Sequence, residues 1–571
     1  MKYFFSIVVL FFPCVLFGAE IQLFANGRSD CSIVVNDHAS VTEKTAAQEL
    51  QQYIKSMSGV TLPIEVYPGK SKSHRVFIGW NERCGNIRPD DNDEGFTYFT
   101  LGSDLYIYGG RNRGTMYGVF SFLERELGVH WFTGSFTQVP RRSSMILDRL
   151  NRSERPVIRE RLDYYHDAVN HRDWACHNLV NTGLSVSEGK YGQMSATWGV
   201  HTFQQLIPPS EYFKKHPDYF SLYQGRRSDN AQLCLSNAAM RKELVKNLRK
   251  VISENPGYWC YDVSQNDNRR ACECEQCVKL TRHYGGHSGL MIWFVNQVAG
   301  EIEKTHPDVL ISTFAYLYTR HAPESGIKPA KNVVVKLCDI ECCMAHPLNE
   351  CEQNRDFMND LDHWKKLTDK IYIWDYTTGF LNYLMPFPNF DVLAKNYRFF
   401  SQSNVIGILE LGSWDAPWSE FSELKQWLIA KLLWNPYQDT DSLARVFING
   451  YYGAAASNVQ QYYDLCRRLV TPASHFTIKL EWNSRFYNDS FISKGNKILE
   501  KAVKQCKDAA TLQRVRRLQA QTLYLQLRRQ SAKALTKGTP QHFRDIIKAD
   551  NTIVREHGYT VDELLNDLKY Y

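Results

Sequence analysis

The first 150 residues contain both helical and strand-like spacing of apolar positions. Residues 42–59 (TEKTAAQELQQYIKSMSG) place apolar side chains on one helical face and end at a glycine, and residues 114–128 show the same spacing. Residues 74–80 and 96–110 instead alternate as strands do, with turn residues between them. We therefore predict a small, non-catalytic α/β domain over residues 20–150.

Strand-like runs alternate with helical ones between residues 159 and 452, beyond a polar linker predicted at residues 151–159. The runs with strand character are RERLDYY (159–165), HNLVNT (177–182), YWCYDVSQND (258–267), VLISTFAYLY (309–318), VVVKLCDIE (333–341), KIYIWDY (370–376) and VIGILELG (405–412). Such alternation is typical of a parallel sheet covered by helices. We predict an α/β protein whose residues 159–452 form a catalytic (β/α)8 TIM-like barrel.

The pattern becomes helical after residue 452. Segments such as LQRVRRLQAQTLYLQLRRQSAKAL (512–535) carry apolar positions at helical spacing with basic residues between them. We interpret the basic positions as the solvated face of a helical C-terminal domain over residues 453–571, with a membrane-binding or partner-binding helix as the alternative.

The chain begins with MKYFFSIVVLFFPCVLFGAE, in which Lys2 precedes an apolar run that ends in small residues. This order is typical of a secretory signal, so we predict a signal peptide at residues 1–19 and an exported protein, whether periplasmic, cell-surface or extracellular. A membrane anchor is the weaker interpretation because the run is shorter than the roughly 20 residues that span a bilayer. We expect no stable membrane insertion.

Composition and charge narrow the class of partner. Aromatic residues make up 13% of the 571 residues, which suits stacking on sugar rings as well as core packing. The net charge is only +7, and the 68 basic and 61 acidic residues are mixed along the chain. This mixture argues against a nucleic-acid partner.

Polar and aromatic side chains gather at the carboxyl ends of the predicted strands, where TIM barrels carry their catalytic groups. We predict a substrate-binding group made of Asn266, Asp267, Tyr316, Asp375, Tyr376, Tyr383 and Trp414. Asp375 and its neighbours combine polar tips with aromatic planes, as expected in a sugar pocket. Asn266 and Asp267 either orient a substrate amide or hydroxyl group, or form a turn.

Two carboxylates end the apolar strand VVKLCDIECC at residues 334–343. Because side chains alternate along a strand, Asp339 and Glu341 are expected on one face, roughly 6 to 7 Å apart. Retaining glycoside hydrolysis uses two nearby carboxyl groups, so we predict both as catalytic. Glu410, in an apolar strand, is a further catalytic or binding candidate. The alternatives are solvated acids for the first two and a structural ion pair for Glu410.

Three of the 15 cysteines form the motif CECEQC, which contains Cys272, Cys274 and Cys277. Their spacing is compatible with metal ligation, but a structural zinc site normally has four ligands. Cys260, His283 or Cys351 would supply the fourth, and disulfide pairing in an exported protein is the alternative. The predicted function requires no metal or other cofactor, so the role of this motif stays open.

The sequence resembles glycoside hydrolase family 163. The similar segments run in order between residues 216 and 436 and are HPDYFSLYQGRR, QLCLSN, VSQNDN, CECEQC, FAYLYT, KLCDIECCMAHPLNEC, YIWDYTTGFLNYLMPFPNF, GILELGSW and AKLLWNP. The leading domain is similar to the N-terminal domain of α-glucuronidases and family 20 hexosaminidases. This resemblance implies an exported bacterial endo-β-N-acetylglucosaminidase that retains anomeric configuration and acts on complex N-glycans of glycoproteins.

The resemblance also bears on catalytic roles. It favours Glu341 as the general acid/base, for which we expect a raised pKa beside an apolar strand. Asp339 would orient the substrate acetamide as the internal nucleophile, a known exception to the two-carboxylate scheme. Alternatively, Asp267 takes that role, or Glu341 works with Glu410 as a conventional pair. Another glycosidase, uronic-acid-specific or exo-acting, and an inactive glycan-binding protein are the competing functions.

Overall fold

The computed structural model describes residues 20–70, 73–183, 185–186, 188–529 and 545. The predicted signal peptide lies outside the described residues. The chain forms two compact units. One is built from the described part of residues 1–129 and 139–155, and the other from the described part of residues 130–138 and 156–571.

The strands are numbered in chain order. They are β1 (Ile21–Ala25), β2 (Cys31–Val35), β3 (Ile64–Val66), β4 (His74–Ile78), β5 (Phe96–Leu101), β6 (Asp104–Gly109), β7 (His130–Thr133), β8 (Phe136–Gln138), β9 (Ser144–Leu147), β10 (Asn151–Glu154), β11 (Glu160–Tyr164), β12 (Thr182–Gly183), β13 (Ser195–Trp198), β14 (Leu222–Tyr223), β15 (Arg226–Arg227), β16 (Cys260–Asp262), β17 (Leu310–Ala315), β18 (Val333–Cys338), β19 (Ile371–Tyr376) and β20 (Val405–Leu411).

The α-helices are numbered in the same way. They are α1 (Val41–Ser58), α2 (Gly114–Arg125), α3 (His166–Asn170), α4 (Arg172–His177), α5 (Phe203–Leu206), α6 (Pro209–Tyr212), α7 (Ala238–Glu254), α8 (Glu275–His283), α9 (His287–Glu303), α10 (Arg355–Leu367), α11 (Phe390–Ser401), α12 (Ser422–Trp434), α13 (Thr440–Tyr452), α14 (Ala456–Arg467), α15 (Asp489–Gln505) and α16 (Ala509–Arg529).

The first unit is a mixed sheet with the strand order β10-β5-β6-β4-β2-β3, together with helices α1 and α2. A capping box begins α1, in which Ser40 accepts a hydrogen bond from the Glu43 N–H and the Glu43 carboxylate accepts one from the Ser40 N–H. The helix ends at Gly59, whose φ of 79° is the left-handed cap that glycine favours. Both helices predicted in this region are therefore confirmed.

The segment predicted as a linker is partly a strand. Residues 151–154 form β10, which pairs antiparallel with β5 at the edge of the sheet. Its side chains are mostly exposed, so the strand is held by backbone hydrogen bonds and leaves no apolar pattern in the sequence. The first part of the predicted linker therefore belongs to the sheet of the first unit, and the boundary between the two units falls after Arg155, within the predicted range.

The second unit contains the predicted barrel, which is confirmed. Its eight-stranded sheet has the order β11-β20-β19-β18-β17-β16-β13-β12, and every ladder along it is parallel. The first and last strands meet through a side chain: the Arg161 N–H donates to Asn181 Oδ1 (2.9 Å), and Asn181 Nδ2 donates to the Arg159 carbonyl (2.8 Å). The barrel is nearly closed at this seam.

The second and third barrel strands differ from expectation. HNLVNT was predicted as a strand, but its first residue ends α4 and only Thr182 belongs to β12. Strand β13 was not predicted at all. It has four residues, and three of them are only partly buried, so it lacks the continuous apolar run that marks a strand covered on both faces.

The chain after the barrel is helical, as predicted, through the last long described segment. Helices α13 to α16 follow one another there, and α15 and α16 bury apolar residues at helical spacing. Among the described residues, no helix is both long enough and apolar enough to cross a bilayer.

Helix α12 is buried on all sides, although it carries charged residues. Lys425 Nζ forms a buried ion pair with Glu420 and donates to the carbonyls of Thr377 (3.0 Å) and Phe387 (2.7 Å). Burial raises the pKa of Glu420 to about 7, against the lowering effect of Lys425. This lysine therefore ties the loop after β19 to the buried helix.

We predict that Lys425→Met lowers the free energy of unfolding by about 3 to 5 kcal/mol, because Glu420 is left buried without its counter-charge. Denaturant unfolding measures this change. The double variant Lys425→Met/Glu420→Gln is expected to recover part of the loss, and Lys501→Met at an exposed site serves as the matched control. Equal, small effects at positions 425 and 501 would contradict this account.

Candidate active site

Four carboxyl groups form a row at the carboxyl end of adjacent barrel strands. In the ladders, Asp375 of β19 pairs with Glu410 of β20, and Glu410 pairs with Asp163 of β11. Asp339 directly follows β18, and its N–H donates to the Trp374 carbonyl (3.4 Å). Residues that are paired in parallel strands point to the same face, so the four side chains lie side by side.

The whole row is buried, and this changes its protonation. Burial raises the pKa of Asp339, Glu410 and Asp163 well above the ordinary range, and the Asp375 charge raises the first two further. Burial also raises the pKa of Asp375 to about 6, while the Asp339 carboxyl and the Tyr376 N–H (2.6 Å) hold it down. At neutral pH, therefore, not all four carboxyl groups of the row are ionised.

The carboxyl oxygens of Asp339 and Glu410 are shielded from solvent. Their neighbours are other buried groups: the Asp375 carboxyl lies beside Asp339, and the Tyr397 hydroxyl lies beside Glu410 and lowers its pKa. Burial outweighs this lowering, because a buried carboxylate is costly to ionise. A substrate at the barrel mouth does not reach these oxygens in this conformation.

Above the row lies an accessible group on three loops. Asp267 follows β16 and is exposed; its Oδ1 accepts a hydrogen bond from the Tyr316 hydroxyl (3.2 Å), which follows β17. Glu341 follows β18 with 44% of its side chain exposed, and Arg269 Nη2 lies 3.7 Å from its Oε1. We call Asp267, Tyr316 and Glu341 the rim group. The carboxylates of Asp267 and Glu341 both raise the pKa of Tyr316, after burial, which raises it most.

The strand argument for Asp339 and Glu341 does not hold. Strand β18 ends at Cys338, and the chain turns immediately after it. Asp339 therefore points into the buried row, whereas Glu341 is exposed and ion-paired with Arg320. Strand alternation does not apply beyond the last ladder residue, so the two acids lie in different environments.

The other predicted binding residues are distributed around this site. Asn266 is buried and used internally, since its side chain accepts from the Gln204 N–H (3.2 Å) and donates to the Ala231 carbonyl (2.8 Å). These two hydrogen bonds show that Asn266 holds the loop that presents Asp267.

Tyr376 is buried near both the carboxyl row and the rim group. Burial raises its pKa most, and the charges of Tyr316, Asp339 and Asp267 raise it further.

Aromatic side chains stand at a second side of the barrel mouth. Trp414 follows β20, is 41% exposed, and stacks on Tyr164 with ring centroids 5.6 Å apart. Tyr383 is buried. Burial raises the pKa of Asp415, and a hydrogen bond from Tyr383 lowers it by a smaller amount. Trp414 thus presents an exposed ring next to the carboxyl group of Asp415.

Sequence reasoning missed several residues of the site. Asp163 lies two residues before the end of the predicted strand RERLDYY, so its position near a strand end was a usable signal. Arg320 and Arg269 lie in loops, and nothing in their spacing predicts a partner. Arg320 Nε also contacts Asp360 Oδ2 on α10 (2.7 Å), which fixes the guanidinium beside Glu341.

Among the described residues, two groups of four side chains have the composition of metal sites, and the ligand atoms within each group lie within 4.8 Å of one another. The first contains Cys272, Cys274 and Cys277 of the CECEQC motif with Cys234, which was not among the expected fourth ligands. The second contains Cys343, His346, Cys351 and His475. Cys234 was missed because it lies 38 residues before Cys272, in a different segment.

Comparison with known families assigns most of the second unit to one family. A family model described as a domain of unknown function, DUF4838, matches residues 131–464, which is more than half of the chain. The chain belongs to the DUF4838 family. A second model, the N-terminus of glycosyl hydrolase family 67, matches residues 25–122. This second match supports a glycosidase-like protein.

The DUF4838 chain is also similar to solved structures at low identity. CpGH84B is 11% identical, with 96% of this chain and 97% of that chain covered and a TM-score of 0.50. A chitobiase of Flavobacterium johnsoniae is 11% identical, with 96% and 97% covered and a TM-score of 0.47. A GH138 enzyme targeting pectin rhamnogalacturonan II is 10% identical, with 91% and 70% covered and a TM-score of 0.48. The first of these agrees with the fold described above. No curated protein sequence matches the chain.

We predict that Asp375→Asn stabilises the DUF4838 protein at pH 8 by about 3 kcal/mol and has little effect near pH 4. The folded-state pKa of about 6 lies above the ordinary value of 3.8, so the wild type loses stability as pH rises between these values. The amide variant does not ionise and avoids that loss. Urea unfolding at both pH values measures the difference.

The matched control is Asp308→Asn, at an exposed position, which is expected to show no such pH dependence. A stability difference for Asp375→Asn that is equal at pH 4 and pH 8 would contradict the burial of an ionisable group at this position.

Proposed function

We propose that this protein is an exported glycoside hydrolase, an endo-β-N-acetylglucosaminidase that acts on complex N-glycans with retention of configuration. The observation that carries the proposal is the rim group, which presents two accessible carboxylates on different barrel loops. The Tyr316 hydroxyl donates a hydrogen bond to Asp267, and Arg269 lies beside Glu341. Carboxyl groups at this end of a TIM-like barrel have the position that glycosidase catalysis requires. The resemblance to family 163 supports the choice of substrate.

Glu341 is the proposed general acid/base, since it is the accessible carboxylate after β18. In the free protein, Arg320 and Arg269 lie beside it. A sugar bound across the rim would exclude water from this carboxyl group and place it beside the glycosidic oxygen, which direct proton transfer requires. Glu341 then donates its proton to the leaving oxygen as the glycosidic bond breaks.

The substrate acetamide is the proposed nucleophile. Its carbonyl oxygen forms a bond to C1 while the glycosidic bond breaks, which gives an oxazolinium ion. Asp267 accepts the acetamide N–H and stabilises the positive charge, and the Tyr316 hydroxyl holds Asp267 in place. Glu341 next removes a proton from water, which attacks C1 and opens the ring. Two displacements at C1 retain its configuration.

The burial of the carboxyl row supports Asp267 for this role in place of Asp339. The carboxyl oxygens of Asp339 and Glu410 are shielded from solvent, which argues against both the Asp339 assignment and a conventional pair of Glu341 with Glu410. The row would instead form a floor of low net charge under the reacting sugar. Trp414, stacked on Tyr164, offers a platform for a neighbouring sugar ring.

A second candidate is a glycosidase for uronic-acid-containing glycans. Arg269 has a side chain that is 61% exposed, and a guanidinium group at the rim matches a sugar carboxylate in geometry and charge. Assays with a biantennary glycoprotein and with uronic-acid oligosaccharides separate the two candidates, because each candidate cleaves only one of these substrate classes. A glycan-binding protein without catalysis cleaves neither.

We predict that the protein releases an oligosaccharide from a biantennary glycoprotein and leaves one N-acetylglucosamine on the asparagine. Mass spectrometry of both products identifies the bond. Glu341→Gln and Asp267→Asn are each expected to lower kcat about 10²- to 10⁴-fold, since each removes one participant in the reaction. Glu211→Gln, at an exposed position, is the matched control.

Release of oligosaccharide by Glu341→Gln at the wild-type rate would contradict the acid assignment. Cleavage of uronic-acid oligosaccharides alone would favour the second candidate, and binding of glycan without any product would favour the binding protein.

A further inference from the structure

The first cysteine group has the geometry of a tetrahedral metal centre. Cys234 Sγ lies 3.7 Å from Cys274 Sγ and 3.8 Å from Cys277 Sγ, and all four sulfur atoms lie within 4.8 Å of one another. Four sulfurs about 2.3 Å from a zinc ion are about 3.8 Å apart. We propose that Cys234, Cys272, Cys274 and Cys277 bind a structural zinc ion.

Hydrogen bonds around the sulfurs support a thiolate centre. The Leu222 N–H donates to Cys272 Sγ (3.3 Å), and the Cys277 N–H donates to Cys274 Sγ (3.5 Å). Arg227 Nη1 lies 3.9 Å from Cys272 Sγ. Zinc with four thiolates carries a net negative charge, and N–H donors and a guanidinium offset it.

The site is closed, as structural zinc sites are. Cys234, Cys272 and Cys277 are buried and Cys274 is partly buried, so no position is left for a substrate. Cys274 is the N-cap of α8 and Cys234 precedes α7. The ion would therefore fasten two helix starts and the end of the loop that follows β16.

The test measures zinc in protein purified without chelators. Cys274→Ser/Cys277→Ser is expected to lose about one zinc ion per chain relative to the wild type, and Cys506→Ser, a partly buried cysteine outside both groups, is expected to lose none. Unchanged zinc content in the double variant would overturn the proposal.

A second test uses the wild-type protein, so it remains valid if the double variant does not fold. Denaturation with EDTA and iodoacetamide, without reductant, is expected to alkylate all four cysteines of the group, as found by peptide mass spectrometry. Disulfide-linked peptides between these cysteines would overturn the proposal, because a disulfide sulfur is not available as a thiolate ligand.

A separate observation carries a second site. His475 Nδ1 lies 3.4 Å from Cys343 Sγ and 3.7 Å from Cys351 Sγ, and His346 Nδ1 lies 3.7 Å from Cys343 Sγ. Sulfur and nitrogen ligands of tetrahedral zinc are about 3.6 Å apart. We infer that these two cysteines and two histidines bind a second zinc ion.

The orientation of His346 supports this inference. Its Nε2 lies 3.0 Å from the Thr471 carbonyl, which accepts the ring N–H. In the neutral ring, this hydrogen bond places the proton on Nε2, so Nδ1 is the nitrogen that can bind a metal. Zinc-binding histidines are commonly oriented by an outer hydrogen-bond partner in this way. Cys343 and Cys351 are buried, while His475 is exposed.

The second ion would hold the loop that carries Glu341. Cys343 follows Glu341 by two residues, and the Met344 N–H donates to the Phe476 carbonyl (2.8 Å) beside His475. The metal would thus join the loop after β18 to the segment that follows α14. This positioning role rests on the proposed function, whereas zinc binding does not.

The test compares His475→Gln with His363→Gln, a matched substitution at an exposed histidine. His475→Gln is expected to lose about one zinc ion per chain and to lower kcat at least tenfold, with the first site still loaded; His363→Gln changes neither. Cobalt in place of zinc is expected to give tetrahedral visible absorption that His475→Gln weakens.

Full zinc content in His475→Gln would overturn the second site. Loss of zinc with unchanged kcat would overturn only its positioning role. If the wild type binds zinc but cleaves no glycan, the proposed function fails while the zinc sites stand.

Discussion

The arrangement of the barrel mouth depends on the burial of four carboxyl groups on adjacent strands. Asp163, Glu410, Asp375 and Asp339 are level with one another because their strands are parallel and in register. Ionising all four would be very unfavourable in so dry a region. Their pKa values are raised accordingly, and the groups that remain available for substrate are those on the loops above them.

This separation into two layers explains the division of roles that we propose. The lower layer is rigid, because its members belong to strands or follow them directly. Asp267 and Glu341 of the rim group belong to loops, whose geometry needs other support. Asn266 and Tyr316 support Asp267, Arg320 supports Glu341, and the two cysteine-containing groups lie at the ends of the same two loops.

The sequence was most informative where strands are covered on both faces. Strands β17, β18, β19 and β20 are mostly apolar runs, so a parallel barrel was predictable from the pattern. Strand β13 has four residues, of which three are only partly buried, and gave no such signal. Edge strand β10 is polar and is held by its backbone, which a side-chain pattern does not record.

Site residues could be predicted from the sequence only where the end of a strand could be predicted. Asp339, Asp375 and Glu410 were found because each stands at the end of an apolar run. The burial of Asp339 and the opposite exposure of Glu341 depend on a turn after Cys338 that no local pattern indicates. Cys234 joins Cys272 only through the tertiary fold, since sequence separation carries no information on such a contact.

The most direct test of the account is a crystal structure with a thiazoline that mimics the oxazolinium intermediate. We expect the thiazoline nitrogen to lie within hydrogen-bonding distance of Asp267 Oδ2 or Oδ1, with Glu341 facing the leaving-group side of C1. Asp339 and Glu410 should remain covered beneath the sugar. A complex in which the thiazoline ring contacts Asp339 or Glu410 directly, with Asp267 turned away, would contradict the two-layer account.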